Sequence, residues 1–83
     1  MNFTSVYQRG IAGQIQTITV MAYIGAEQGD SDEIRVIRTI DDRTTEDRIA
    51  YHGKGGSDWL QTQQADWTAD GYDLVSTRPG TGS

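Results

Sequence analysis

The chain contains no cysteine. Neither a disulfide framework nor a cysteine-built metal site is therefore available, and the composition fits a cytoplasmic protein. Proline occurs once, at Pro79, histidine once, at His52, and Lys54 is the sole lysine. No apolar run approaches the roughly 20 residues that cross a bilayer. Met1 to Arg9 lacks the apolar core of a signal peptide. The formal net charge is −5. Nucleic-acid phosphates are bound chiefly by Lys and Arg, so no direct nucleic-acid partner and no membrane partner is expected.

Glycine, by contrast, is plentiful, with ten residues. It punctuates a chain of one-domain length, read as a single domain over 1–79 and a flexible tail over 80–83. A core this small gains from self-association or from very good packing. The clearest unit lies late, between Ser57 and Arg78. Ser57 is a suitable N-cap, and Asp58 falls in the first turn, where the helix dipole favours a negative charge. No Gly or Pro interrupts the residues between Asp58 and Asp70. Leu60, Trp59 and Trp67 share a face, with Gln63 and Gln64 between them. Gly71 sits where a left-handed C′ residue is wanted. That register makes Trp67 C3 and Tyr72 C″, the pair that meets in a Schellman ending. Tyr72 to Thr77 then alternates as a strand, with Tyr72, Leu74 and Ser76 on one side.

Ala69-Asp70-Gly71-Tyr72-Asp73-Leu74-Val75-Ser76 resembles the ending of a family of small, uncharacterised bacterial domains. In that family a helix runs through a glycine into a Gly-Trp-Glu-Leu-Val strand packed on a small antiparallel sheet. Tyr72 stands for the tryptophan and Asp73 for the glutamate. The resemblance is confined to residues 57–78. It implies a fold and no particular activity.

Upstream, Phe3 to Gln8 reads as a first strand, with a connection at Ile11-Ala12 between Gly10 and Gly13. Gln14 to Ile24 is the clearest strand. Ile18, Val20, Ala22 and Ile24 face one way, and Ile15, Thr17, Thr19, Met21 and Tyr23 the other. Apolar residues on both faces mark it as central. Glu33 to Ile40 follows, with Arg38 interrupting an apolar side and a bulge near Ile37 offered as the remedy. Asp41 to Thr45 reads as a turn. Glu46 to His52 reads as a strand with Ile49 and Tyr51 on one face. The expected fold is α+β: a small antiparallel sheet of four to five strands, with one C-terminal helix on one face followed by a closing strand.

Chemistry is sparse. Gly53-Lys54-Gly55-Gly56-Ser57, between a strand and a helix N-terminus, could cradle an anion on backbone N–H groups. It lacks the Walker and Rossmann spacings, and a plain crossover has the same composition. His52 could act as a base with Asp41, Asp42 or Asp58, yet no motif surrounds it. Asp30-Ser31-Asp32-Glu33 could touch a hard cation but lacks the glycine and distal glutamate of an EF-hand loop. No catalytic residue, metal or cofactor is implied. The acidic residues Asp30, Asp32, Glu33, Asp41, Asp42, Glu46 and Asp47 fall at the ends of predicted strands and read as solvated turn carboxylates.

The function expected is a non-enzymatic protein-protein interaction module, self-associating as a homo-oligomer or docked on a protein partner. Met21, Tyr23 and Ile37 on the sheet face away from the helix, with a partly exposed Trp59, are its candidate contacts. One alternative is a small acidic phage or mobile-element inhibitor whose carboxylates mimic nucleic-acid charge. A second is a small-anion binder at the Gly53–Gly56 loop.

Overall fold

A computed structural model describes residues 1–25 and 31–80. Its elements are β1 (Asn2–Ile11), β2 (Gln14–Tyr23), β3 (Asp32–Ile40), β4 (Arg43–Gly53), α1 (Gly56–Ala69) and β5 (Asp73–Pro79). The strands form one five-stranded antiparallel sheet in the order β4-β3-β2-β1-β5, so the chain is α+β. Consecutive hairpins build β1 to β4. The helix then carries the chain from the β4 edge to the opposite edge. Fourteen helical residues at about 1.5 Å each span roughly 21 Å. Four strand spacings of about 4.8 Å require roughly 19 Å. The helix is thus as long as the sheet is wide.

The inner face of the sheet carries the core. Ile18, Val20 and Ala22 of β2, Ile34 and Val36 of β3 and Tyr7 of β1 are buried with Leu60, Trp67 and Tyr72. Each large apolar side chain so buried contributes about 1.5–3 kcal/mol. Trp67 meets Tyr7 with ring centroids 5.2 Å apart, and the half-buried Trp59 lies 5.5 Å from Tyr51. Gln64 Nε2 donates to Tyr7 Oη at 2.5 Å. Burial pushes the Tyr7 phenol above its ordinary value, and the Gln64 and Ser5 hydrogen bonds work against that shift.

The helix ends as its residues predict. Tyr72 N–H donates to Trp67 O and Gly71 N–H to Thr68 O, both at 3.0 Å. Gly71 has φ 96°, and Trp67 and Tyr72 are both in the core. These are the two bonds of a Schellman ending.

The helix start differs from the expectation. Its N-cap is Gly55, at φ 84°, and Ser57 is exposed inside the first turn. The capping oxygen comes from another element: Asp32 Oδ2 accepts from Gly56 N–H at 2.8 Å, and Asp32 Oδ1 from Gly25 N–H at 2.8 Å. Asp32 is only 7% exposed, so it is not the solvated turn carboxylate its neighbours suggested. A Cβ on Gly56 would stand 2.7 Å from Asp32 Cβ. Glycine is required there because the helix start must close on the carboxylate.

Other differences are matters of register. The first turn is Ala12-Gly13, with Ile11 opposite Gln14. The second is Asp41-Asp42, with Ile40 opposite Arg43, so Arg43 to Thr45 belong to β4. No bulge falls at Ile37, because β2 and β3 pair continuously from Gln16 and Ile40 to Tyr23 and Glu33. The extra residues lie in β4, at Ala50 and Thr45, and in β5, at Val75. Gly80 is tied to β1: its N–H donates to Asn2 O, and its carbonyl accepts from Thr4 Oγ1. Of the expected flexible tail, 81–83 lie outside the described residues.

Asp32→Ala leaves two N–H donors without their carboxylate. It should lower stability by about 2–4 kcal/mol, since bonds to charged acceptors contribute about 1.5–3 kcal/mol each. Asp32→Asn should cost less. Thermal unfolding of both variants beside the parent checks the order, and an Asp32→Ala melting point equal to the parent's would contradict the capping role.

Candidate functional site

The helix covers only one face of the sheet. The other face is built by the side chains that alternate away from the core. Across β1, β2 and β3 they include Val6, Thr19 and Ile37, then Met21 beside Arg35 and Tyr23 beside Glu33. On this face lies a groove of about 310 Å³ lined by Met21, Tyr23, Glu33, Arg35 and Ile49. Tyr23 is 42% exposed and Ile49 49%. Ile37 is half-buried and two positions along β3 from Arg35.

Ile49 reaches the groove because of a bulge. A regular β4 would keep Ile49 and Tyr51 on one face, as the alternation of the sequence implies. Instead Ile49 pairs with Arg35 and Tyr51 with Ile34, and Ala50 is the extra residue between them. Arg35 and Ile34 are neighbours on opposite faces. Tyr51 therefore turns to the core beside Trp59, and Ile49 turns outward. An inserted residue reverses the alternation beyond it. No Gly or Pro marks the place in the sequence, and only the pairing shows it.

The structure thus brings together Met21 and Tyr23, with Ile37 on the same face, and adds Ile49. It does not place Trp59 there, since α1 packs on the core side. Charges frame the groove. Arg35 Nε and Nη2 grip Asp47 Oδ1 and Oδ2 at 2.7 and 2.6 Å. The guanidinium holds the Asp47 carboxyl below its ordinary range, and Asp47 in turn raises Arg35.

The remaining acidic candidates do not form one negative surface. Asp41 Oδ1 accepts from Ile15 N–H at 3.0 Å, which fastens the second turn to the start of β2. Glu46 lies between Arg48, at 2.5 Å, and Arg38, at 4.0 Å. Asp32 is buried under the helix start, Glu33 lines the groove and Asp42 is exposed. Asp30 lies outside the described residues.

The glycine segment runs from the end of β4 into α1. Tyr51 Oη donates to Lys54 O, and Gly56 N–H is engaged by Asp32. One of the backbone donors at this helix start, Gly56 N–H, is therefore taken by a carboxylate of the same chain. His52 is exposed and pairs with Glu33. Asp41 and Asp42 stand at the other end of the β3–β4 hairpin, about 30 Å away at about 3.3 Å per strand residue. Among the described residues, no three His, Asp or Glu side chains are grouped to hold a metal ion, and no helix is long and apolar enough to cross a membrane.

The chain matches no protein-family model, and no match is found among curated proteins or solved structures.

The Asp47 titration is a direct test of the groove's charged rim. A depressed folded value means that the pair's contribution is present above the unfolded carboxylate pKa. It is lost as pH falls through the lower folded value. The pair is exposed, so its effect on stability is small and screened by salt. Arg35→Gln should return the Asp47 carboxyl to the ordinary range in a carbon-detected NMR titration; an unmoved midpoint would show that Arg35 does not set it.

Proposed function

We propose that this chain is a non-enzymatic protein-interaction module that self-associates through the open face of its sheet. The observation that carries the reading is the one-sided cover: α1 lies on the inner face, and the outer face holds the groove of Met21, Tyr23 and Ile49. Strand spacing and rise give such a face a footprint of roughly 20 by 30 Å. That is the scale of one side of a standard interface, about 800 Å² per partner.

Charge favours a second copy as the occupant. Two molecules of net charge −5 repel unless the meeting surface is nearly neutral. On the outer face Glu33, Asp47 and Asp73 are offset by Arg35 and Arg78. A two-fold contact needs a self-complementary patch. Glu33 and Arg35, two positions apart on the groove wall, supply both signs. Apolar contact at the centre with charges at the rim is the usual arrangement of such surfaces.

Sedimentation over a range of protein and salt concentrations tests this. A dimer that persists in high salt is expected, because apolar burial is not screened as exposed charge is. Met21→Asp and Ile49→Asp should each yield monomers whose melting temperature, read below the dimer dissociation range, matches the parent's. A parent protein that stays monomeric to about 1 mM, where association contributes only about 4 kcal/mol, would sink the proposal.

A further inference from the structure

The helix crosses the inner face on a diagonal. It starts against Asp32, at the beginning of β3, and ends beside Arg9, near the end of β1, where Arg9 Nη1 donates to Asp70 O at 2.7 Å. This path leaves uncovered the inner corner where β2 begins and β3 ends. The corner forms a cleft of about 120 Å³ lined by residues that include Arg9, Gln16, Arg38, Ile40, Thr45 and Tyr72, with no carboxylate among them. In so acidic a chain, two guanidiniums on one small cleft are a local reversal of charge.

The two arginines are held differently. Arg9 is oriented from three sides. Its Nε donates to Gln16 Oε1 at 2.7 Å, its Nη1 to Asp70 O, and its guanidinium lies 4.4 Å from the centre of the Tyr72 ring. Among the described residues its Nη2 makes no hydrogen bond. Arg38 occupies a core-facing position opposite Ile18, a residue with no exposed surface. It is the arginine that breaks the apolar side of β3. Its guanidinium makes no hydrogen bond among the described residues. Glu46 stands 4.0 Å from its Nε and is drawn by Arg48 at 2.5 Å. The Arg38 side chain is 39% exposed, so its unspent donors face solvent along the cleft it lines and are open to an external acceptor.

We infer that the Arg9–Arg38 cleft binds a compact oxyanion, a phosphate or a carboxylate group. Guanidinium groups suit both, through paired N–H donors in a plane. Arg9 is fixed before binding, which limits the ordering cost, and Arg38 closes from the β3 side. The cleft volume admits a group of this size and little more. The site is separate from the glycine segment and lies on the face opposite the proposed dimer contact.

Titration of the ¹⁵N-labelled protein with inorganic phosphate, and separately with acetate, tests this at constant ionic strength against chloride. Saturable shifts at Arg9, Gln16, Arg38 and Thr45, with Kd on the order of 1 mM, are expected for at least one of the two anions. Phosphate alone would assign a doubly charged ligand, and acetate alone a carboxylate. Arg38→Gln should weaken binding about tenfold or more while the spectrum stays folded. Glu46→Gln, which removes the competing carboxylate, should tighten it several-fold. A purely structural Arg38–Glu46 pair predicts no such gain. The absence of saturation with both anions up to about 20 mM, or equal affinity in the parent and Arg38→Gln, would overturn the inference.

Discussion

The structure depends on one buried carboxylate. Asp32 accepts from Gly25 at the end of β2 and from Gly56 at the start of α1. It joins, through a single side chain, the end of β2 and the start of β3 to a helix start 24 residues further along the chain. A helix N-terminus exposes unpaired N–H groups and a partial positive charge. A negative side chain from β3 answers both. The helix is thereby anchored at the β3–β4 side of the sheet, and its length then takes it to the far edge. Gly56 follows from the same contact, since any side chain there would meet Asp32.

From that anchor the two faces acquire different characters. The diagonal helix brings Trp67 to Tyr7 and closes the core, while Arg9 reaches the last turn and one inner corner stays open. Among the described residues α1 packs on the inner face only, while on the outer face Thr4 is buried with its Oγ1 on Gly80 O. The outer face's apolar side chains sit among charges of both signs, which fits contact with a like surface better than contact with a strongly basic groove. Among the acidic residues, Asp32, Asp41, Glu46 and Asp47 are engaged within the fold. Engaged carboxylates are poor mimics of a phosphate backbone, whose charges are evenly spaced and free to meet a partner.

Much of the architecture was legible from local patterns. The Gly71 stop with its Trp67–Tyr72 pairing was readable because a Schellman ending involves residues close in sequence, each with a distinct role. The β2 strand was readable because its alternation runs unbroken from Ile15 to Tyr23. Met21 and Tyr23 could be placed on the face away from the helix for the same reason, and Ile37 from its alternation with Ile34 and Val36, although the bulge expected beside it is absent. Ile49 could not. Its side depends on Ala50 being an unpaired residue, and pairing is decided by the partner strand.

The sequence by itself determined the α+β class, the helix, its glycine ending and the central strand, because each is specified by side-chain periodicity or by backbone preferences within a few residues. Only the tertiary structure decided that Asp32 rather than Ser57 caps the helix. It alone turned Ile49 outward and set Arg9 and Arg38 on one cleft. Those outcomes depend on which strands lie beside each other and on where extra residues interrupt the ladder. Such information resides in contacts between distant parts of the chain, where hydrogen bonding must be satisfied jointly.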